Sequence, residues 1–191
     1  MASEVLRVHH IEGSSLVNGP GKRFVVWVQG CTLSCPGCFN PATFPRDGGT
    51  GIPIDLLAKQ ILSQKENFEG ITISGGEPLQ QIKALTILLR IIRDNSQLSS
   101  LVFSGFTWPE IQRIPGIQDL LATVDILLAG RYQADKRLAR GLLGSSNKTP
   151  YFLSGRYSMR DLEEIPIAEM TTPDAKLAPA EKHIFFLSSV F

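Results

Sequence analysis

Residues 23–38 read RFVVWVQGCTLSCPGC, and the architecture turns on this stretch. Arg23 to Gln29 is rich in β-branched and aromatic residues and stops at Gly30, the pattern of a strand that ends in a turn. The turn opens directly into Cys31, Cys35 and Cys38, which are the three cysteines of the chain. Thiols are therefore presented at the C-terminal end of a strand.

Three cysteines within eight residues and no fourth elsewhere leave a metal cage one ligand short. Four thiolates hold an iron–sulfur cluster closed, whereas three leave one iron free to bind something else, as a catalytic cluster requires. Two plainer readings compete with this one. A zinc site completed by His9, His10 or His183 would lack the second short ligand pair that structural zinc uses. A ferredoxin-like electron carrier ordinarily takes four cysteines. The His9-His10 pair, placed ahead of the first strand, reads as a solvated edge.

Working outward, strand-like runs alternate with helical patterns from residue 22 to about residue 129. Pro53–Lys65 carries Ile54, Leu56, Leu57, Ile61 and Leu62 at helical spacing, with Pro53 suited to the first turn. Gly70–Ser74 is a second strand, followed by Gly75-Gly76-Glu77-Pro78 and an apolar helix from Leu79 to Asp94. The grammar repeats with strand Ser100–Phe103, turn Ser104-Gly105, helix Trp108–Leu121 and strand Val124–Leu128 ending at Ala129-Gly130. Two later strand candidates are Tyr151–Leu153 and His183–Leu187, and Met159–Ala180 between them reads as an extended excursion.

Such alternation predicts an α/β fold with right-handed crossovers and a ligand site at the strands' C-terminal ends. About six mostly parallel strands in 191 residues are too few to close an eight-stranded barrel, so an incomplete, open (β/α) barrel is expected. Length and a hydrophobic content of 43% suit a single domain over 1–191, with its core at about 22–157 and a tail at 158–191 of unassigned role.

Nineteen basic against eighteen acidic residues give a net charge of +1, so no electrostatic footprint for nucleic acid or an anionic membrane is present. The opening MASEVLRVHHIEGSS lacks an apolar targeting segment. The longest apolar run, Ala84–Ile92, covers about half a membrane span. A cytoplasmic protein with reduced cysteines is the expectation.

Cys-x3-Cys-x2-Cys after one strand, then Gly-Gly-Glu-Pro after the next, resembles the radical S-adenosylmethionine superfamily. The resemblance implies that Cys31, Cys35 and Cys38 bind three irons of a [4Fe-4S] cluster, and that S-adenosylmethionine chelates the fourth through its amino and carboxylate groups. Reduction of the sulfonium would then break a sulfur–carbon bond and leave a 5'-deoxyadenosyl radical. It further implies cofactor contacts from Gly75 and Gly76, where backbone would approach the methionyl end, and from Glu77 as a charge-assisted acceptor for the amine. Gly37 stands where many members carry an aromatic residue over adenine, and Phe39 next door is its candidate replacement. Ser104 is a candidate contact whose plainer and favoured reading is a turn serine. Asp125 reads as a solvated or capping residue at a strand start and Asn147 as satisfying local backbone, and Trp27 and Trp108 read as packing.

Asn18-Gly-Pro-Gly21, VQGCTLSCPGCFNPATF (Val28–Phe44), Phe103–Thr107, Asp125–Tyr132 and Gly144–Asn147 narrow the likeness. Over residues 5 to 157 the chain resembles the activating proteins of anaerobic ribonucleotide reductase. The implied partners are a glycyl radical enzyme, which would lose a hydrogen from a backbone glycine, and a low-potential electron donor such as flavodoxin or ferredoxin. A radical enzyme acting on a small molecule or peptide, and a non-catalytic electron carrier, are the competing readings.

Overall fold

The computed structural model describes residues 4–138 and 142–166. Among them the strands are β1 (Val5–Ser15), β2 (Arg23–Val28), β3 (Thr50–Pro53), β4 (Gly70–Gly75), β5 (Ser99–Ser104), β6 (Ile126–Ala129) and β7 (Thr149–Phe152). The helices are α1 (Ile54–Leu62), α2 (Ile82–Asn95), α3 (Trp108–Ile111), α4 (Ile117–Leu121) and α5 (Met159–Glu163).

β2, β4 and β6 lie where apolar runs predicted strands, and every residue of β6 is buried. β2 pairs in parallel with β4 from Arg23 opposite Gly70 to Val28 opposite Gly75. β4 pairs in parallel with β5, and β5 with β6. Burial on both faces is why such strands read as continuous hydrophobic runs. Among the described residues the sheet has seven strands in the order β3-β1-β2-β4-β5-β6-β7, with β1 and β7 antiparallel to their neighbours. It is an open α/β sheet, as expected, with β3 and β7 as its edges.

One face of the sheet packs under the crossover helices. The α2 stripe of Ala84, Leu85, Leu88, Leu89 and Ile92 meets Leu57 and Ile61 of α1 and the buried Val26, Ile71, Ile73 and Val102 of the sheet, the periodicity of an amphipathic helix. The opposite face holds a smaller apolar group around Leu101, Ile126 and Leu128. That face also buries Arg23 completely, its guanidinium donating to the hydroxyls of Thr72 at 3.1 Å and Ser99 at 2.6 Å. Among the described residues, no helix is long and apolar enough to cross a membrane.

The seven strands among the described residues agree with the expected open fold of about six. Several expectations are corrected. β1 exists, and His9 and His10 lie within it instead of ahead of the first strand. Its register slips between Val8 and His10 and again between Glu12 and Ser15, which erases the alternation that announces a strand. Pro53 closes β3 and caps α1 from outside instead of entering the first turn. The helix expected over Trp108–Leu121 is broken into α3 and α4, because Pro115 has no amide hydrogen and Gly116 turns left-handed at φ 78°. Met159–Glu163, expected to be extended, forms α5 behind a Ser158/Asp161 capping box. The strand expected at His183–Leu187 and most of the tail lie outside the described residues.

Candidate cluster and cofactor site

The cysteine loop leaves β2 and returns at a short turn, Pro41–Thr43. Its base is pinned by two backbone bonds, Gly30 N–H to the Thr43 carbonyl at 2.8 Å and Cys31 N–H to that of Phe44 at 3.2 Å. Amide side chains hold it from outside. Buried Gln29 donates to the carbonyls of Ala42 at 3.1 Å and Pro45 at 2.7 Å. Gln80 donates to the Thr32 hydroxyl at 2.6 Å and accepts from the Thr32 amide at 3.3 Å. Gln81 donates to the carbonyls of Arg7 and Gln29. None of these three glutamines was singled out from the sequence, since the groups they meet are distant along the chain.

Within the loop, the Cys38 amide donates to the Cys35 carbonyl at 3.1 Å, and the Asn40 amide donates to the Cys38 sulfur at 3.4 Å. All three cysteines are free thiols and half-buried. Burial pushes the Cys31 and Cys38 thiols up, a cost that coordination to a cation reverses. Among the described residues, no three His, Cys, Asp or Glu side chains gather as a single metal ion requires. Ligands that each meet a different iron of a cluster need no such convergence, so the donor set fits a [4Fe-4S] cluster.

The Gly75-Gly76-Glu77-Pro78 turn is stitched onto the end of β2. The Gly76 amide donates to the Val28 carbonyl at 2.8 Å, and the Glu77 amide to that of Gly30 at 2.9 Å. A side-chain carbon at Gly76 would lie 2.3 Å from the Gly30 carbonyl oxygen, and one at Gly75 would lie 2.4 Å from the Val28 nitrogen. The glycines are thus required by the close approach of two strand ends, immediately before Cys31.

Glu77 is 1% exposed. Its carboxylate accepts from the Leu79 amide at 3.0 Å, the Ser104 hydroxyl at 2.9 Å and the Gly105 amide at 2.7 Å. Burial pushes this carboxyl up, and those donors oppose the shift. The side chain read as an acceptor for an amine is therefore committed to the protein's own donors. Ser104 is likewise satisfied, donating to Glu77 and accepting from the Phe106 amide at 3.0 Å.

Gly37 and Phe39 face a different neighbour, the segment that follows β6. A side-chain carbon at Gly37 would come within 3.3 Å of the Ala134 Cβ. Phe39 packs on Tyr132 with ring centroids 4.7 Å apart, and the Arg137 guanidinium lies 5.0 Å from the Phe39 ring. The structure therefore gathers the cysteine loop, Gly75, Gly76, Glu77 and Ser104 at the C-terminal ends of β2, β4 and β5. It sets Gly37 and Phe39 on the side turned toward residues 132–137. Asp125 lies away from them and is buried instead of solvated, accepting from the Ser100 amide and the Ser154 hydroxyl.

Two cations were not foreseen. Arg131 donates to the Gly105 carbonyl at 2.5 Å and pairs with Glu110 at 2.9 Å. The Lys148 ammonium donates to the Gly130 carbonyl at 2.8 Å and lies 3.5 Å from that of Ser104. Arg131 lies within one segment picked out above, Asp125–Tyr132, and Lys148 adjoins the other, Gly144–Asn147, so position alone offered a signal. Asn147 donates to the Arg131 carbonyl at 2.7 Å while its own side-chain oxygen is buried without a partner.

The 4Fe-4S single cluster domain family matches residues 17–150, a span that holds all three cysteines, the glycine turn and Lys148. The chain belongs to the 4Fe-4S single cluster domain family. Curated relatives agree with this membership. The pyruvate formate-lyase-activating enzyme of Clostridium pasteurianum is 35% identical over 119 residues, covering 60% of this chain and 50% of that enzyme. The pyruvate formate-lyase 1-activating enzyme of Escherichia coli strain K12 is 29% identical over 150 residues, covering 76% of this chain and 59% of its own length. The chain thus spans 50% to 59% of the length of these relatives. The crystal structure of QueE from Escherichia coli aligns with a TM-score of 0.42 at 18% identity, over 54% of each chain. The radical S-adenosylmethionine resemblance is borne out by the family and these relatives, and with it the expected cofactors, a [4Fe-4S] cluster and S-adenosylmethionine.

Proposed function

We propose that the protein is an activase that cleaves S-adenosylmethionine reductively to install a glycyl radical on a partner enzyme. The observation that carries this reading is the set of three free, half-buried thiols on a loop bonded to the Gly75-Gly76-Glu77 turn, one ligand short of a closed cluster. Held by Cys31, Cys35 and Cys38, the cluster would supply the single electron that reductive cleavage of S-adenosylmethionine requires.

The chain's own residues hold that chemistry in place. Cys31, Cys35 and Cys38 would ligate three irons, and Gln29, Gln80 and Gln81 fix the loop that carries them. Gly75 and Gly76 bring β4 against β2, and Glu77 ties that junction to β5 through Ser104 and Gly105. Gly37 and Phe39 shape the loop's other side. The sheet's open edges at β3 and β7 suit a macromolecular substrate, which a closed barrel would obstruct.

The motifs at Val28–Phe44, Phe103–Thr107 and Gly144–Asn147 favour anaerobic ribonucleotide reductase as the partner. The named relatives favour a pyruvate formate-lyase as the alternative. Flavodoxin or ferredoxin is the electron donor in this reading. The test is anaerobic loading with iron and sulfide, reduction with S-adenosylmethionine present, and chromatography for 5'-deoxyadenosine. Each candidate partner is then added and its glycyl radical sought by electron paramagnetic resonance. A radical on one partner identifies it. A loaded, reducible cluster that yields neither 5'-deoxyadenosine nor a radical with either partner overturns the activase reading.

A further inference from the structure

β5 and β6 run in parallel and end together, Ser104 opposite Ala129. The carbonyls of Ser104, which ends β5, and of Gly130, just past β6, form a small acceptor edge beside the cysteine loop, where a side-chain carbon at Gly105 would lie 2.4 Å from Leu33 Cδ1. β7 returns antiparallel to β6, with Thr149 opposite Ala129, which delivers Lys148 to that edge. The two carbonyls, at 2.8 and 3.5 Å from Nζ, fix the ammonium instead of leaving it in solvent. From there it lies within electrostatic reach of the thiols of Cys35 and Cys38 and of the Glu77 carboxylate.

We propose that Lys148, acting through space, raises the reduction potential of the cluster held by Cys31, Cys35 and Cys38. Adding an electron to a cluster with three thiolate ligands increases negative charge in a half-buried site. A fixed cation nearby stabilises the reduced form more than the oxidised form, and the effect grows as the surroundings become less polar. Burial lowers the affinity of Lys148 for its proton, and its proximity to Glu77, Cys35 and Cys38 offsets only part of that shift. That is the reciprocal side of the same coupling. Glu77, fully engaged with Leu79, Ser104 and Gly105, leaves the ammonium on carbonyls, with its charge open to the cluster.

The proposal requires the cluster that membership of the family implies, but not the activase reading. Its test is a redox titration of the loaded full-length chain without S-adenosylmethionine, comparing wild type with Lys148→Gln and Lys148→Arg. The expected result is a more negative midpoint for Lys148→Gln at unchanged iron and sulfide content, with Lys148→Arg close to wild type. If Lys148→Gln fails to retain the cluster while Lys148→Arg retains it, the charge serves cluster retention instead of its potential and the proposal is overturned. An unshifted Lys148→Gln, equal shifts in both variants, or cluster loss in both would overturn it, since each outcome assigns Lys148 to packing alone. Failure of the activase reading would appear separately, as a normal potential without 5'-deoxyadenosine.

Discussion

The Glu77 carboxylate accepts the Ser104 hydroxyl at 2.9 Å in a buried environment, joining the turn after β4 to the end of β5 next to the cysteine loop. A carboxylate can accept from the Leu79 and Gly105 amides and from Ser104 at once, whereas an amide must turn a donor toward one of them. Glu77→Gln should therefore leave a buried donor unmatched and cost about 1–3 kcal/mol. Urea denaturation of the cluster-free chain measures it. Unchanged stability would show that the carboxylate is not the tie described here.

Gly76→Ala should be damaging for a steric reason. The added carbon would lie 2.3 Å from the Gly30 carbonyl oxygen, and backbone cannot move aside as a flexible side chain does. Overpacking of this kind costs about 1–3 kcal/mol. Because Gly30 leads directly into Cys31, iron bound per chain after reconstitution should fall as well. Gly155→Ala is the control, since a side-chain carbon there meets nothing within 4 Å. Equal iron loading in the two variants would count against the strand-end argument.

Much of the sheet and the centre of the site were legible because buried strands announce themselves. β6 is buried at every residue and reads as an unbroken apolar run, as does β2 after Arg23, while β4 and β5 keep shorter apolar stretches between Thr and Ser residues. β1 escaped notice because only Leu6 and Val8 are buried and its register slips twice. β3 is four residues long and contains Gly51. The break between α3 and α4 was written in Pro115-Gly116, where the apolar spacing alone suggested continuity. In the site, motif spacing located Glu77 but not its orientation, since Ser104 lies 27 residues away and only folding brings the two together. Lys148 was invisible for the same reason: its position depends on β7 pairing with β6.

Cys35→Ala should separate cluster binding from folding. Cys35 is half-buried on a loop whose base is held by Gly30, Cys31, Gln29 and Gln80 through partners that exclude it. Iron per chain after reconstitution should fall to background. The cluster-free variant should unfold within about 1 kcal/mol of the cluster-free wild type, as substitutions outside a packed core do. Retention of the full iron–sulfur spectrum would remove Cys35 from the ligand set.

Alkaline pH should report on the network at the opposite end of the sheet. The Tyr157 hydroxyl lies 2.7 Å from both the Glu69 carboxylate and the Ser99 hydroxyl, and Ser99 also accepts from buried Arg23. Burial pushes the phenol above its ordinary 10.0, and donation to Glu69 adds to this, while Ser99 and Arg23 oppose it. Above pH 10.0 the folded chain therefore keeps a proton that the unfolded chain releases. The stability contributed by Tyr157 should be complete below that pH and decline as pH rises through the folded value. Ultraviolet titration of wild type minus Tyr157→Phe isolates this phenol from Tyr132 and Tyr151, and its midpoint should lie above 10.0. The stability advantage of wild type over Tyr157→Phe should shrink over the same interval. A midpoint at or below the ordinary value would mean that Tyr157 is solvated and that the link from Glu69 through Ser99 to Arg23 is not closed in solution.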